Sequence, residues 1–502
     1  MAVVAVLVVS LATLGVGAIG LRISRTTSDF YVASRAVGPA LNASAISGEY
    51  LSAASFLGVA GLVLLRGVDM LWYPVGWTAG YVLLLIFVAA PLRRSRAYTL
   101  PDFAEFRVES LVARRVSSAL VVLIGVFYLV PQFQGAGLTL RALTGAPTWV
   151  GAVVVALVVL ANVVSGGMRS ITIAQAFQYW LKLLALLLPL AFMLAHWHRH
   201  GGPTGRLHTV DWVEPMQGAH APYLVYSLIL ATFLGTMGLP HVAVRFYTNR
   251  DGRAARRTTV AVLAMLSAFY LLPTLYGVLG RVFASDLVTS GRSDTVVLEL
   301  PRRIFDGAAG DLLTALLCAG AFAAFLSTSS GLVVSVGGVI GQDLLGRRFD
   351  GVTAFRLAGV LAALATLVLT LLSSGLAVAH AVELAFAVAA STFCPLLLLG
   401  IWWRGLTAAG AVAGMVVGGA LSVTAVVSVM VGETPGGWAG AVFAQPALCT
   451  VPLAFATMVG VSLATRSRLP VHLGRTMVRL HAPEDLELDR GSYHPEAAHR
   501  PG

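Results

Sequence analysis

Apolar runs of twenty residues or more, separated by short clusters of arginine, glycine or proline, recur from Ala2 to about residue 465. A helix needs about 20 apolar residues to cross a bilayer, because the hydrocarbon core is about 30 Å thick. A membrane barrel would instead alternate polar and apolar positions in segments of about 10 residues, a pattern this chain lacks. Boundaries set at charge, Gly or Pro predict thirteen membrane helices. They lie near 2–21, 41–65, 70–92, 116–140, 147–166, 171–195, 222–243, 257–280, 311–343, 352–372, 376–401, 406–431 and 444–465. The run at 311–343 is longer than one simple span requires, so part of it should tilt or project. The expected fold class is an all-α polytopic membrane protein.

Composition agrees with that pattern and adds direction. The 502 residues are 57% hydrophobic and only 11% charged, against about 25% charged in soluble domains. The net charge of +11 does not call for nucleic acid, because the arginines lie in short loops between spans. Alternating those loops puts 25 of the 34 basic residues on one side. The positive-inside rule then places the N-terminus outside and the C-terminus in the cytoplasm of a cell-membrane protein. The opening MAVVAVLVVS has no basic residue ahead of it, unlike a signal peptide, and reads as a retained helix. Residues 466–502 are polar and read as a solvated cytoplasmic tail. Cys318, Cys394 and Cys449 fall in or beside apolar spans, without the spacing of a metal site or a disulfide framework.

Candidate chemistry lies where polar residues interrupt the spans. Glu49, Lys182 and Glu383 are the intramembrane ionisable residues, with His380 and Asp311 nearer span ends. Such groups are costly in lipid and face a bundle interior or a water-filled cavity. Glu49 reads either as a coupling carboxylate or as the ion-pair partner of Lys182. Ser327, Thr328, Ser329 and Ser330 form an unbroken hydroxyl run in mid-span. Hydroxyls with freed backbone carbonyls supply the oxygen shell that a hard cation wants. Freed carbonyls need a broken helix, and two candidates stand at matching places in the two halves of the chain. These are SGEYLSAASFLGVAG (47–61) and ATFLGTMGLPHVAVRFYT (231–248); such a pair points to the binding site of a secondary transporter. His196, His198, His200 and His208 flank one loop without metal-site spacing. There is no Walker motif, cofactor fingerprint or nucleophile motif, so the chain reads as a transporter without cofactor rather than an enzyme.

DFYVASRAVGP (29–39), SGEYLSAASFLGVAG, YTLPDF (98–103), SGGMRSITIAQAFQYWLK (165–182), GLPHVAVRFYT (238–248) and AAFLSTSSG (323–331) resemble the sodium:solute symporter family. YLSAASFLG with GLPHVAVRF looks most like its cation/acetate and monocarboxylate branch. The resemblance implies a five-plus-five inverted-repeat core, as in neurotransmitter-type symporters, over 41–401. Residues 1–40 would hold the first helix and a cytoplasmic loop, and 402–465 two accessory helices. It also implies a sodium site between the first and eighth core helices. Carried over residue by residue, its ligands are the carbonyls of Gly48, Leu51 and Ala324 and the hydroxyls of Ser327 and Thr328. Some relatives use an aspartate in the fifth core helix for a second sodium; Gln175 stands here, and Lys182 two turns on is itself a cation, so one sodium is expected. The substrate residues implied are Ser55, Phe56, Trp77, Gln132, Thr232, Gly235 and Thr236. The function expected is sodium-coupled import of acetate or a related monocarboxylate. The alternatives are sodium or proton symport of another small solute such as proline, and a transporter-like sensor.

Overall fold

The computed structural model describes residues 1–23, 26–199, 215–216, 218–372, 378–484 and 486. Among them secondary structure is helical, apart from an isolated bridge between Val37 and Asn249. Eleven helical stretches are long and apolar enough to cross a membrane. Two of these are double: Ala54–Ser95 turns at Gly67 (φ 69°), and Thr148–Arg199 breaks at Gly167 (φ 53°). Both glycines hold left-handed backbone that a side chain would strain. Divided there, the eleven stretches accommodate the thirteen expected crossings.

After the N-terminal helix Ala2–Ile23, ten core helices follow. The first is Pro39–Tyr50 continued by 54–66, the second 72–95, the third Leu111–Thr144, and the fourth and fifth the two parts of Thr148–Arg199. The sixth is Ala221–Gly238 continued by Pro240–Tyr247. The seventh to tenth are Gly252–Phe283, Gly307–Ile340, Gly351–Leu372 and Val378–Trp402. Ala408–Val431 and Ala447–Ala464 come after the core. The eighth core helix has 34 residues, about 51 Å at 1.5 Å per residue, so it does project beyond the bilayer core.

The first and sixth core helices break where expected. In the first, the helix ends at Leu51 (φ −74°, ψ 83°) and resumes through the wide turn Ala54–Gly58. In the sixth, Leu239 is extended (φ −68°, ψ 121°) between Gly238 and Pro240. Proline removes an N–H and disfavours helical backbone at the preceding residue, which sets that break. Glycines bring the broken segments close to their neighbours. A side chain at Gly48 would collide with the Gln175 carbonyl, and one at Gly238 with the Ala389 carbonyl.

Several arginines expected only as loop charges are buried. Arg107 donates to the carbonyls of Gly400 and Trp403 (2.9 Å to the latter) at the end of the tenth core helix, where unpaired carbonyls and the helix dipole favour a cation. Burial lowers its pKa to about 10. Arg114 joins Asp102 (2.8 Å), Glu105 and Asp343 (2.6 Å). The tail is solvated later than its composition implied: Leu473–His481 is a helix with Leu480 fully buried. Arg94 fastens it through the His481 carbonyl (3.0 Å) and Glu484 (3.2 Å).

Candidate cation seat and substrate site

The break after Tyr50 ends the helical ladder and frees the carbonyls of its last turn. Two of them, on Gly48 and Leu51, turn toward the fifth and eighth core helices. On the eighth, the Ser327 hydroxyl donates to the Ala324 carbonyl (3.1 Å) and the Thr328 hydroxyl to the Glu49 carbonyl (2.6 Å). The five residues expected to ligate sodium therefore meet at one junction. Its centre is a nitrogen of the protein. Lys182 Nζ donates to the Gly48 carbonyl, to the Leu51 carbonyl (2.7 Å) and to Ser327 Oγ (2.9 Å). Lys182 and Gln175 are seven residues apart, so both lie on the face of the fifth core helix turned to this junction.

Glu49 does not pair with Lys182, contrary to one reading of the sequence. Its carboxylate accepts from Arg245 Nε, and both side chains are fully buried. Arg245 also donates to Thr172 Oγ1 (2.9 Å) and to Gln175 Oε1. Gln175 Nε2 in turn donates to the Ser327 carbonyl (2.7 Å). Gly331 gives the carboxylate its room, since a side chain there would occupy the place of Glu49 Oε1. Sequence reasoning counted Arg245 among the loop arginines. Its position in the second half of a broken helix, rather than after it, was the available signal. Glu383, the second carboxylate expected within the spans, accepts from the Tyr73 hydroxyl and lies 3.3 Å from His380 Nδ1.

The expected substrate residues divide. Trp77 is buried in a cluster of rings, with centroids 5.8 Å from Phe386 and 5.8 Å from Tyr270. Thr236 Oγ1 meets the Tyr50 hydroxyl at 2.7 Å beside this cluster. Gln132 Oε1 accepts from the Ala53 N–H (3.0 Å) and so braces the break. Ser55 bonds the Tyr270 hydroxyl (2.9 Å), and Phe56 packs across Gly320. Thr232 and Gly235 serve helix packing: Thr232 donates to its own helix at the Leu228 carbonyl (2.8 Å) and fills the space beside Gly76. Gly235 admits Phe386.

Four residues of this cluster were not read from the sequence: Tyr81, Tyr128, His241 and Phe386. Tyr128 lies 5.2 Å from His241 and 5.8 Å from Phe386, and Tyr81 lies 5.0 Å from Tyr50. Among the described residues, Trp77 Nε1, Tyr81 Oη and both His241 ring nitrogens are buried without a protein hydrogen-bond partner. An unmet buried polar group costs about 1–3 kcal/mol, and folded proteins leave few of them. These groups cluster between the two breaks. His241, beside the Leu239 break, was visible in GLPHVAVRF but not distinguished from a packed core histidine.

The model of the sodium:solute symporter family matches residues 30–418. The chain belongs to that family. Among its relatives, the uncharacterised symporter YwcA of Bacillus subtilis is 30% identical, over 86% of this chain and 88% of its own length. A monocarboxylic acid transporter of Corynebacterium glutamicum is 31% identical, over 87% of this chain and 86% of its own. Of solved structures, a Na⁺-coupled sialic acid symporter in its substrate-bound outward-open state superposes with a TM-score of 0.69 at 15% identity. That match covers 91% of this chain and 97% of the other. MhsT, in complex with L-phenylalanine, gives 0.55 at 16% identity, covering 86% and 98%. At these identities the structural matches establish the fold, the five-plus-five core of neurotransmitter-type symporters. This family member is a multi-pass membrane protein of a transporter family.

Proposed function

We propose that this symporter imports acetate or a closely related short monocarboxylate by cation-coupled alternating access. The observation that carries the substrate class is the ring cluster between the two breaks. Its unmet groups are the donor-only Trp77 Nε1, the Tyr81 hydroxyl and the His241 ring, which suit a small carboxylate. An amino acid such as proline would also need acceptors for its ammonium group, and the Glu49 carboxylate beside the first break is held by Arg245. The monocarboxylic acid transporter at 31% identity supports the same class. Residues 41–401 form the transport core in this reading, with 402–465 accessory to it. The arginine-rich side faces the cytoplasm, which leaves the N-terminus outside.

Coupling runs through the junction of Gly48, Leu51, Ala324, Ser327 and Thr328, which ties the broken first core helix to the eighth. Its oxygens suit one monovalent cation, and sodium is the ion the family reading supplies. The test is uptake of labelled pyruvate, acetate and proline into proteoliposomes, with sodium and pH gradients imposed separately. Saturable pyruvate and acetate uptake that proline does not inhibit is expected. Uptake of proline without either carboxylate would overturn the substrate class.

A further inference from the structure

We propose that the cation of this seat is the ammonium group of Lys182 rather than a sodium ion, so that transport needs no sodium at this junction. The inference rests on the symport reading above and says what fills its cation seat. Nζ stands where three oxygens converge. The Gly48 and Leu51 carbonyls only accept. The Ser327 hydroxyl oxygen lies 3.1 Å from the Ala324 carbonyl and 2.9 Å from Nζ. Three oxygens around one nitrogen match the three N–H bonds of an ammonium.

That nitrogen stands among the oxygens a sodium would use. Both cannot occupy the seat, because they need the same lone pairs and repel each other at contact distance. Lys182 makes no ion pair among the described residues. The ionisable groups around it are few. On the first core helix the facing group is Glu49, already held by Arg245 of the sixth. The eighth core helix presents the hydroxyls of Ser327 and Thr328. On the N-terminal helix Thr13 meets Gln178 (3.0 Å), and on the fifth itself Tyr179 donates to the Met265 carbonyl of the seventh (3.2 Å). Lys182 is thus the uncompensated charge of the junction.

Two measurements test this. The first is binding of ²²Na⁺ to the purified protein, which needs no knowledge of the solute. No saturable binding is expected in the wild type at millimolar sodium, and binding is expected to appear in Lys182→Ala, whose oxygens are left open. Saturable binding to the wild type would overturn the proposal. The second is uptake of labelled pyruvate in proteoliposomes, corrected for protein-free liposomes; pyruvate is a stronger acid than acetic acid and leaks less in neutral form. Uptake should be unchanged when choline replaces sodium, and uptake that requires sodium in the wild type would refute the proposal. If no carboxylate is taken up under any gradient, the substrate reading fails, while the ²²Na⁺ result still decides the seat.

Discussion

Replacing Glu49 by Gln keeps the shape of the side chain and removes its charge from beside Arg245. The Glu49 side chain is 3% exposed and that of Arg245 1%, so water cannot replace the lost partner. Breaking such a pair from one side costs about 3–5 kcal/mol, because a buried charge is left uncompensated. Glu49→Gln should fall near the lower end, since the new amide oxygen still accepts from Arg245 Nε. Arg245→Met should cost as much, by stranding the carboxylate. The double variant strands no charge. Thr172 Oγ1 keeps its bond to the Met168 carbonyl (2.7 Å), and Gln175 keeps its bond to the Ser327 carbonyl. The new amide at position 49 can donate to Gln175 Oε1, which leaves its own oxygen as the one orphaned acceptor, at about 1–3 kcal/mol. The double variant should therefore be more stable than either single one, with a coupling energy of about 3 kcal/mol. Reversible unfolding in mixed micelles, followed by tryptophan fluorescence, gives all four stabilities. Strictly additive costs, or a Glu49→Gln penalty under about 1 kcal/mol, would refute the claim that this pair is buried and mutually dependent.

Three further outcomes follow from the same geometry. Gly331→Ala should act like a broken ion pair, because its methyl takes the place of the Glu49 carboxylate; a loss of about 1–3 kcal/mol that vanishes in a Glu49→Ala background would locate the effect. Arg114→Met should destabilise by about 3–5 kcal/mol at neutral pH by leaving Asp102, Glu105 and Asp343 together. Burial already holds the Asp102 carboxyl above its ordinary range, and losing the cation raises it further. A carboxyl raised in the folded state loses stability as pH rises, so the Arg114→Met deficit should shrink on acidification; a deficit constant from pH 7 downward would contradict this. Trp77→Phe keeps the ring and removes the unmet N–H donor. It should raise the KM for carboxylate uptake about fivefold, the equivalent of about 1 kcal/mol, with kcat little altered; an unchanged KM would take Trp77 out of the site.

What the sequence revealed followed from constraints that leave marks in residue type. Lipid demands apolar runs, so the crossings were legible, including the overlong eighth core helix. A helix opens where small residues or proline permit it, so both breaks were legible in SGEYLSAAS and GLPHV. The substrate lining was less so, because a small residue that lets helices touch and one that leaves room for a ligand look alike. Thr232 and Gly235 both pack helices together. Arginine carried a different ambiguity. The loop count treats each as a marker of sidedness, yet Arg107 ties a helix end and Arg245 neutralises Glu49 inside the bundle.

The charge balance of the junction joins these points. Glu49 and Arg245 cancel, Gln175 is neutral, and one positive charge remains on Lys182. An oxygen cradle with a neutral surround holds one monovalent cation whether that cation is bound or covalently attached. Lys182 extends the fifth core helix into the cradle from two turns beyond Gln175, so it changes the source of the charge without changing the number the junction holds. Conversion to a sodium seat would then need only the lysine side chain removed, since the carbonyls of Gly48 and Leu51 and the Ser327 hydroxyl are already aimed at the vacated point.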